Sequence, residues 1–386
     1  MTPPRHSVDF RPNPDRAIYL TGTIDQLSVD RLTSSIIRLL TSGREPITLY
    51  IDSPGGNTFH AGMLLNLLTS IDQNFSPRCR LITVATGFAA SAASDLLMAG
   101  DYALAYPHSM ILCHGVRQAA NADMLTHEGA VGLAKNLAST NEQFALELAR
   151  NSISRFIFRI VFQRSESKIQ TGHEQGYAPL NLEGFIDTLQ SQSRISFELI
   201  KLLRNALTRS KDSEQLDLYV SNSLSQLGNF ADMRMALFES HLLKAILDYE
   251  LEHHSDESWS FRTDGFGKIE EKFHLLIDRH VSQHDDMVGS LCDRWGEFFL
   301  TKEEEEELAL KPEESRSEWL LNTVQQRLKP IWFFFVSICR LLQEDDYYLS
   351  AEEGYWLGLV DEIIGRSDLP CPRIFVEYPA TPNIEA

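Results

Sequence analysis

The first 120 residues switch repeatedly between short apolar runs and stretches whose apolar residues recur every three or four positions. Ala17–Leu20 reads as a strand closed by Thr21–Gly22. From Asp25 to Leu40, Val29, Leu32, Ile36 and Leu40 fall on one helical face. Ile47–Ile51 is a β-branched strand that ends at Asp52–Ser53–Pro54–Gly55–Gly56. Ala61–Leu68 is helical, and Leu81–Val84 is another strand. The stretch GFAASAASDLL (87–97) then leads into a helix reaching Met98 and ended by Gly100, followed by short strands at Ala103–Tyr106 and Met110–Cys113. Such alternation predicts a parallel sheet with crossover helices.

The pattern changes near residue 121. Asp123–Ala149 reads as one long helix, and residues 152–333 are mainly helical in period, with helices expected at Ile195–Leu207, Ala236–Leu251 and Lys268–Asp278 and an acidic run at Glu303–Glu307. Around Ser350 the α/β character returns. Ser350–Glu353 looks like a helix N-cap followed by acids in the first turn, and Gly358–Ile364 like a turn and strand. The α/β domain is therefore expected to start, stop and resume around a helical segment.

Composition narrows the classes. A chain of 386 residues, 43% hydrophobic and 23% charged, suits a soluble globular protein of two domains. Its net charge of −19 argues against nucleic acid or an anionic membrane surface as partner. Five cysteines without a CxxC spacing signal neither zinc nor a disulfide framework. Neither the N-terminal stretch nor the apolar run Ile331–Ile338 suits a signal peptide or a membrane span, so a cytoplasmic location is expected.

The small-residue stretch at 87–97 raises a chemical question. It either lets a helix pack closely or leaves room beside a reactive hydroxyl, on Ser91 or on Ser94. A serine at a strand-to-helix turn projects its Oγ from the sheet edge, beside an unpaired N–H of the first helical residue, here Ala92. A second donor for a developing oxyanion suits Gly55–Gly56, where a chain without side chains approaches closely.

Four segments in order, YIDSPGGNTFHAGM (50–63), GFAASAASDLLMAGD (87–101), AYPHSMILCHG (105–115) and EDDYYLSAEEGYWLGLVDEIIG (344–365), resemble the proteolytic subunit of the Clp protease family. RAIYLTGTI (16–24) resembles its first strand. The resemblance implies an α/β fold of the Clp-protease/crotonase-like kind, built of repeated β-β-α units and interrupted by a mainly α-helical inserted domain. It divides the chain into a first Clp-protease-like part (16–150), the insertion (152–333), a second part (335–367) and a tail (368–386). It also implies a serine endopeptidase: Ser91 as nucleophile, His114 as general base, Asp346 to orient and stabilise the imidazolium, and the backbone N–H groups of Gly56 and Ala92 as the oxyanion hole. On the same alignment Ser94 is a packing residue, His108 a turn residue and His60 a helix-surface residue. Asp345 would replace Asp346 if the register slipped by one.

A peptide or unfolded protein is the implied substrate, a homo-oligomer the implied assembly, and an AAA+ unfoldase the implied partner. No cofactor is implied, since ATP would be used only by that separate partner, and no metal. His274, His280 and His284 with Asp285 and Asp286 read as a solvated helix face rather than a metal site. The sequence departs from the family pattern at Ala93 and Asp95 after the serine, and at Gly115–Val116 where a proline is usual. It also departs in the short, proline-rich stretch before Arg16 and in the insertion, which is expected to control assembly or substrate access. A non-proteolytic scaffold or sensor working with a catalytic relative is the alternative. An acyl-CoA enzyme of the crotonase kind has no need of the serine, histidine and aspartate set.

Overall fold

The computed structural model describes residues 10–70, 79–117, 126–171, 181–192, 194–224 and 284–370. Its α/β part holds β1 (Ala17–Thr21), α1 (Gln26–Ser42), β2 (Ile47–Ser53), α2 (Thr58–Leu68), β3 (Leu81–Ala90), α3 (Ala92–Met98), β4 (Tyr102–Ala105) and β5 (Met110–Cys113). The sheet runs β1-β2-β3-β4-β7 with parallel pairings, where β7 is Glu362–Ile363. β2 and β4 are buried along nearly their whole length because helices cover the sheet. On α1, Asp25 and Ser28 form a capping box, and Val29, Leu32, Ile36 and Leu39 turn inward. The expected face thus holds, except that Leu39 takes the buried place expected for Leu40.

β3 is longer than its apolar run suggests. Its first half pairs with β2 and β4, and its second half, Phe88–Ala90, leaves β4 and pairs with β5. Gly87–Ala90, which open the stretch that leads toward the helix, are therefore extended chain. The helix begins only at Ala92, after a sharp turn at Ser91. β5 also pairs antiparallel with β6 (Tyr347–Ser350), which brings the C-terminal segment beside the strand that precedes His114.

The helical part holds α4 (His127–Thr171), α5 (Leu182–Gln190), α6 (Phe197–Leu224), a helix over 284–295, α7 (Lys302–Leu310) and α8 (Glu313–Leu342), and after β6 comes α9 (Ala351–Trp356). α4 and α6 pack along α8 around Phe156, whose ring lies 4.7 Å from that of Phe335 and 5.5 Å from that of Phe185. The boundaries expected at 151 and 334 both fall inside continuous helices, α4 and α8. One apolar cluster extends from Ile18 in β1 to Leu203 in α6.

Two buried arginines on α4 join helices to sheet. Arg155 reaches Asp361 at 2.8 Å and donates to the carbonyls of Met98 and Gly100. Arg159 donates to the carbonyls of Tyr355, Val360 and Asp361, with its guanidinium 3.6 Å from the Tyr355 ring centre. Between them the chain turns at Gly358 (φ +72°), where a Cβ would meet the Phe156 nitrogen at 2.7 Å.

His284 is buried and accepts from Trp332 Nε1 at 2.7 Å, and Asp285 pairs with Lys329. His274, His280 and the helices expected at 236–251 and 268–278 lie outside the described residues. Among the described residues, no group of three or more His, Cys, Asp or Glu is placed to hold a metal ion. Glu304, in the acidic run, caps its helix with Thr301 and takes Arg327 in a two-pronged pair, which holds its carboxyl down at about 2. Among the described residues no helix is long and apolar enough to cross a membrane.

Candidate active site

The turn from β3 into α3 is made by Ser91 at φ 56°, ψ −132°, among the described residues the single non-glycine residue with positive φ. A side chain in that conformation is strained by about 1–3 kcal/mol, which the surroundings must hold in place. They do so from three sides. Ser91 N–H donates to Leu112 O on β5 at 2.8 Å, its carbonyl receives the Ser94 hydroxyl at 2.6 Å, and Gly55 presses against the turn. Ser94 is 2% exposed, its hydroxyl spent on that bond. Among the described residues Ser91 Oγ has no hydrogen-bond partner, and it lines a cavity of about 270 Å³.

The loop after β2 supplies the facing wall. Ser53 ties it down by donating to Gly22 O and accepting from Gly55 N–H. Asp52 accepts from Phe88 N–H and so holds the loop to β3. A Cβ on Gly55 (φ +86°) would lie 2.4 Å from Ala90 O and 2.7 Å from Ser91 Cβ, and one on Gly56 (φ +153°) 2.3 Å from Ile24 O. Both glycines are needed for approach as well as for backbone angle. Gly56 and Ala92 both line the Ser91 cavity, and among the described residues neither N–H has a protein acceptor. Gly55→Ala is therefore expected to lower the unfolding free energy by about 2 kcal/mol in a urea titration. An unchanged midpoint would mean the loop does not press on the turn.

His114 follows β5 directly and lines the same cavity. Its Nδ1 lies 2.6 Å from Gly115 O, so a proton on Nδ1 donates to that carbonyl and leaves the Nε2 lone pair free, the tautomer a general base requires. The loop beyond is clamped by Asn141 on α4, which accepts from Val116 N–H at 2.7 Å. A Cβ on Gly115 would meet Gln343 O at 2.4 Å. The glycine after His114 thus has a packing reason, and neither clamp was visible in the sequence pattern.

Asp346 lies beside the cavity rather than in its lining. The β5–β6 register ends at Cys113↔Tyr347, and one further step would set His114 opposite Asp346. Its carboxylate instead pairs with Arg117, which does line the cavity, and its own N–H donates to Asp345 Oδ1. The structure therefore brings Ser91, Ala92, Gly56 and His114 around one cavity, with Asp346 held at the edge by a residue that sequence reasoning did not single out. His60 and His108 do not line this cavity.

A second cavity of about 240 Å³, between α2, α3 and α4, shares Thr58, Ala92, Asp95 and Phe144 with the first. Burial, with Glu147 as a lesser cause, pushes the Asp95 carboxyl up to about 7. Burial likewise pushes the neighbouring Cys113 thiol up to about 12, which leaves it protonated and unreactive.

The family model described as Clp protease matches residues 11–151. The chain is 32% identical over 102 residues to the "ATP-dependent Clp protease proteolytic subunit 3" of Rhodococcus jostii, which is 26% of this chain and 48% of the relative. It is 32% identical over 104 residues to the "ATP-dependent Clp protease proteolytic subunit" of Porphyromonas gingivalis (26% and 44%), and 33% over 104 residues to that of Bacteroides fragilis (26% and 47%). The chain spans about half the length of the curated relatives it matches. Asp346 lies outside the matched segment. Residues 11–151, which carry Gly56, Ser91, Ala92 and His114, are thus the part of the chain that is similar to the Clp protease family.

Proposed function

We propose that the chain is a serine endopeptidase that cleaves peptides or unfolded proteins through an acyl-enzyme at Ser91. The observation that carries this reading is the strained turn that points an unpartnered serine hydroxyl into a cavity shared with a histidine and two free N–H groups. In the first step His114 Nε2 takes the Ser91 hydroxyl proton as Oγ bonds to the substrate carbonyl carbon. The oxygen then carries the negative charge between the N–H groups of Gly56 and Ala92. The C–N bond breaks, and the leaving amine takes the proton from His114. Water, activated by the same nitrogen, then releases the acyl group and restores the hydroxyl.

Asp346 would support the imidazolium after releasing Arg117. Both partners of that ion pair are partly exposed, with side-chain exposures of 65% and 36%, so its release costs at most about 1 kcal/mol. The same pair favours a second reading, a scaffold or sensor subunit whose aspartate is permanently engaged. On the peptidase reading, further copies of the chain and a separate ATP-driven unfoldase are the expected partners, and the relatives' names carry the words "ATP-dependent" and "subunit". The helical segment would then govern assembly or access, and the cytoplasm would be the compartment.

Incubating the full chain with fluorogenic peptides and unfolded casein tests the choice. Hydrolysis that stops on preincubation with a fluorophosphonate is expected. Hydrolysis that survives the reagent, or none at all, would count against the peptidase.

A further inference from the structure

The two cavities around α3 meet at Asp95, and what lies in each differs. The first holds Ser91, His114 and the free N–H groups, and the second is walled largely by apolar side chains such as Leu65, Leu96 and Leu148. Asp95 lies in the first turn of α3, its N–H donating to Ser91 O at 3.3 Å, and it lines the same cavity as Ser91. Glu147 faces the second cavity from α4. Among the described residues neither carboxylate has a hydrogen-bond or ion-pair partner. The other groups around Asp95 are the neutral Cys113 thiol from β5, the Ser94 hydroxyl and Thr58 from α2, with His114 and Arg117 on the far wall of the first cavity. Arg117 is engaged by Asp346.

A partly buried carboxylate without a partner beside a second carboxylate is an unfavourable arrangement, because both burial and like charge oppose its ionisation. A cation entering the second cavity removes both penalties at once, and its apolar walls accept an alkyl stem. The residue whose carbonyl bonds to Ser91 has its Cα one bond from the acyl carbon. Its side chain must then enter a space that adjoins Ser91, and this cavity shares Thr58, Ala92 and Asp95 with the one that Ser91 lines.

Resting on the peptidase reading, we infer that Asp95 makes the site select a basic side chain, lysine or arginine, at the residue whose carbonyl is attacked, with Glu147 adding to the attraction. Asp95 acts here on specificity; it touches the substrate side chain and takes no part in the proton transfers.

Two biotinylated peptidyl diphenyl phosphonates that differ in one side chain, lysine-like or leucine-like on the carbon bearing phosphorus, test this on the full chain. A simple fluorophosphonate without a side chain serves as the third probe. The lysine-like probe is expected to label wild type about tenfold faster than the leucine-like one at pH 8. Asp95→Asn should abolish that preference and Asp95→Leu reverse it, while both variants still react with the fluorophosphonate. The preference should also grow from pH 6 to pH 8, since the carboxyl sits at about 7 and is neutral below it. A merely structural Asp95 would leave the ratio flat with pH.

Faster labelling of wild type by the leucine-like probe, or an unchanged ratio in Asp95→Asn, overturns the inference and leaves the peptidase standing. A wild type inert to all three probes overturns both.

Discussion

Replacing Ser91 by alanine is expected to lower peptide hydrolysis by about 10⁴- to 10⁶-fold without loss of the fold. The residue has two separable roles. As a side chain it supplies the hydroxyl, and without it the cavity keeps only its N–H donors, which hold the oxyanion but provide nothing to attack the carbonyl. As backbone it makes a turn at φ 56°, a conformation alanine adopts with similar strain, so the Leu112 and Ser94 hydrogen bonds that fix the turn remain available. Ser91→Gly separates the roles further. It should be as inactive as alanine yet unfold with a free energy about 1 kcal/mol higher than wild type, because glycine relieves the strain. Activity within tenfold of wild type in either variant would place the nucleophile elsewhere.

Arg155→Ala is expected to lower the unfolding free energy by about 3–5 kcal/mol, as removing one member of a buried, hydrogen-bonded ion pair does. Arg155 and Asp361 are 8% and 5% exposed, so the carboxylate left behind has little water to replace the guanidinium. Ala103 N–H would still donate to Asp361 Oδ2, but the carbonyls of Met98 and Gly100 would lose their donor. Those carbonyls close the end of the helix that Ser91 begins, so the damage reaches the site as well as the core. Denaturant titration of both single variants and the Arg155→Ala/Asp361→Ala double variant reads the coupling. The double should be much less destabilised than the sum of the singles. Simple additivity would mean that the pair is not coupled.

The strands and helices of the first 120 residues were legible because a covered parallel sheet needs continuous apolar runs, and its helices need one apolar face. The turn residues were legible for a different reason. Ser53–Gly56 and Ser91 belong to motifs whose order along the chain resembles one family, although period and composition alone left Ser91 and Ser94 equal. What escaped the sequence has physical causes. Gly87–Ala90 run on toward the helix in sequence, yet Phe88–Ala90 are drawn into the sheet by β5, which no local preference shows. Arg155 and Arg159, in ARNSISRFIFRIV, belong to no motif, and they are buried because carbonyls and a carboxylate distant in sequence receive them. Asn141 and Arg117 were equally silent, since each acts on a loop that only the fold brings near. Asp346 was placed by resemblance, and the structure shows why its position could not be read further. The β5–β6 register points it toward His114, while Arg117, in no family motif, draws its carboxylate aside.

Whether Ser91 is an activated nucleophile can be read directly, without any assumption about substrate. The full chain is treated with a fluorophosphonate, digested, and the modified residue located by mass spectrometry, alongside Ser91→Ala and Ser94→Ala. One adduct is expected, on Ser91, formed by wild type and Ser94→Ala and absent from Ser91→Ala. An adduct on Ser94, or a wild type that stays unmodified, would contradict it.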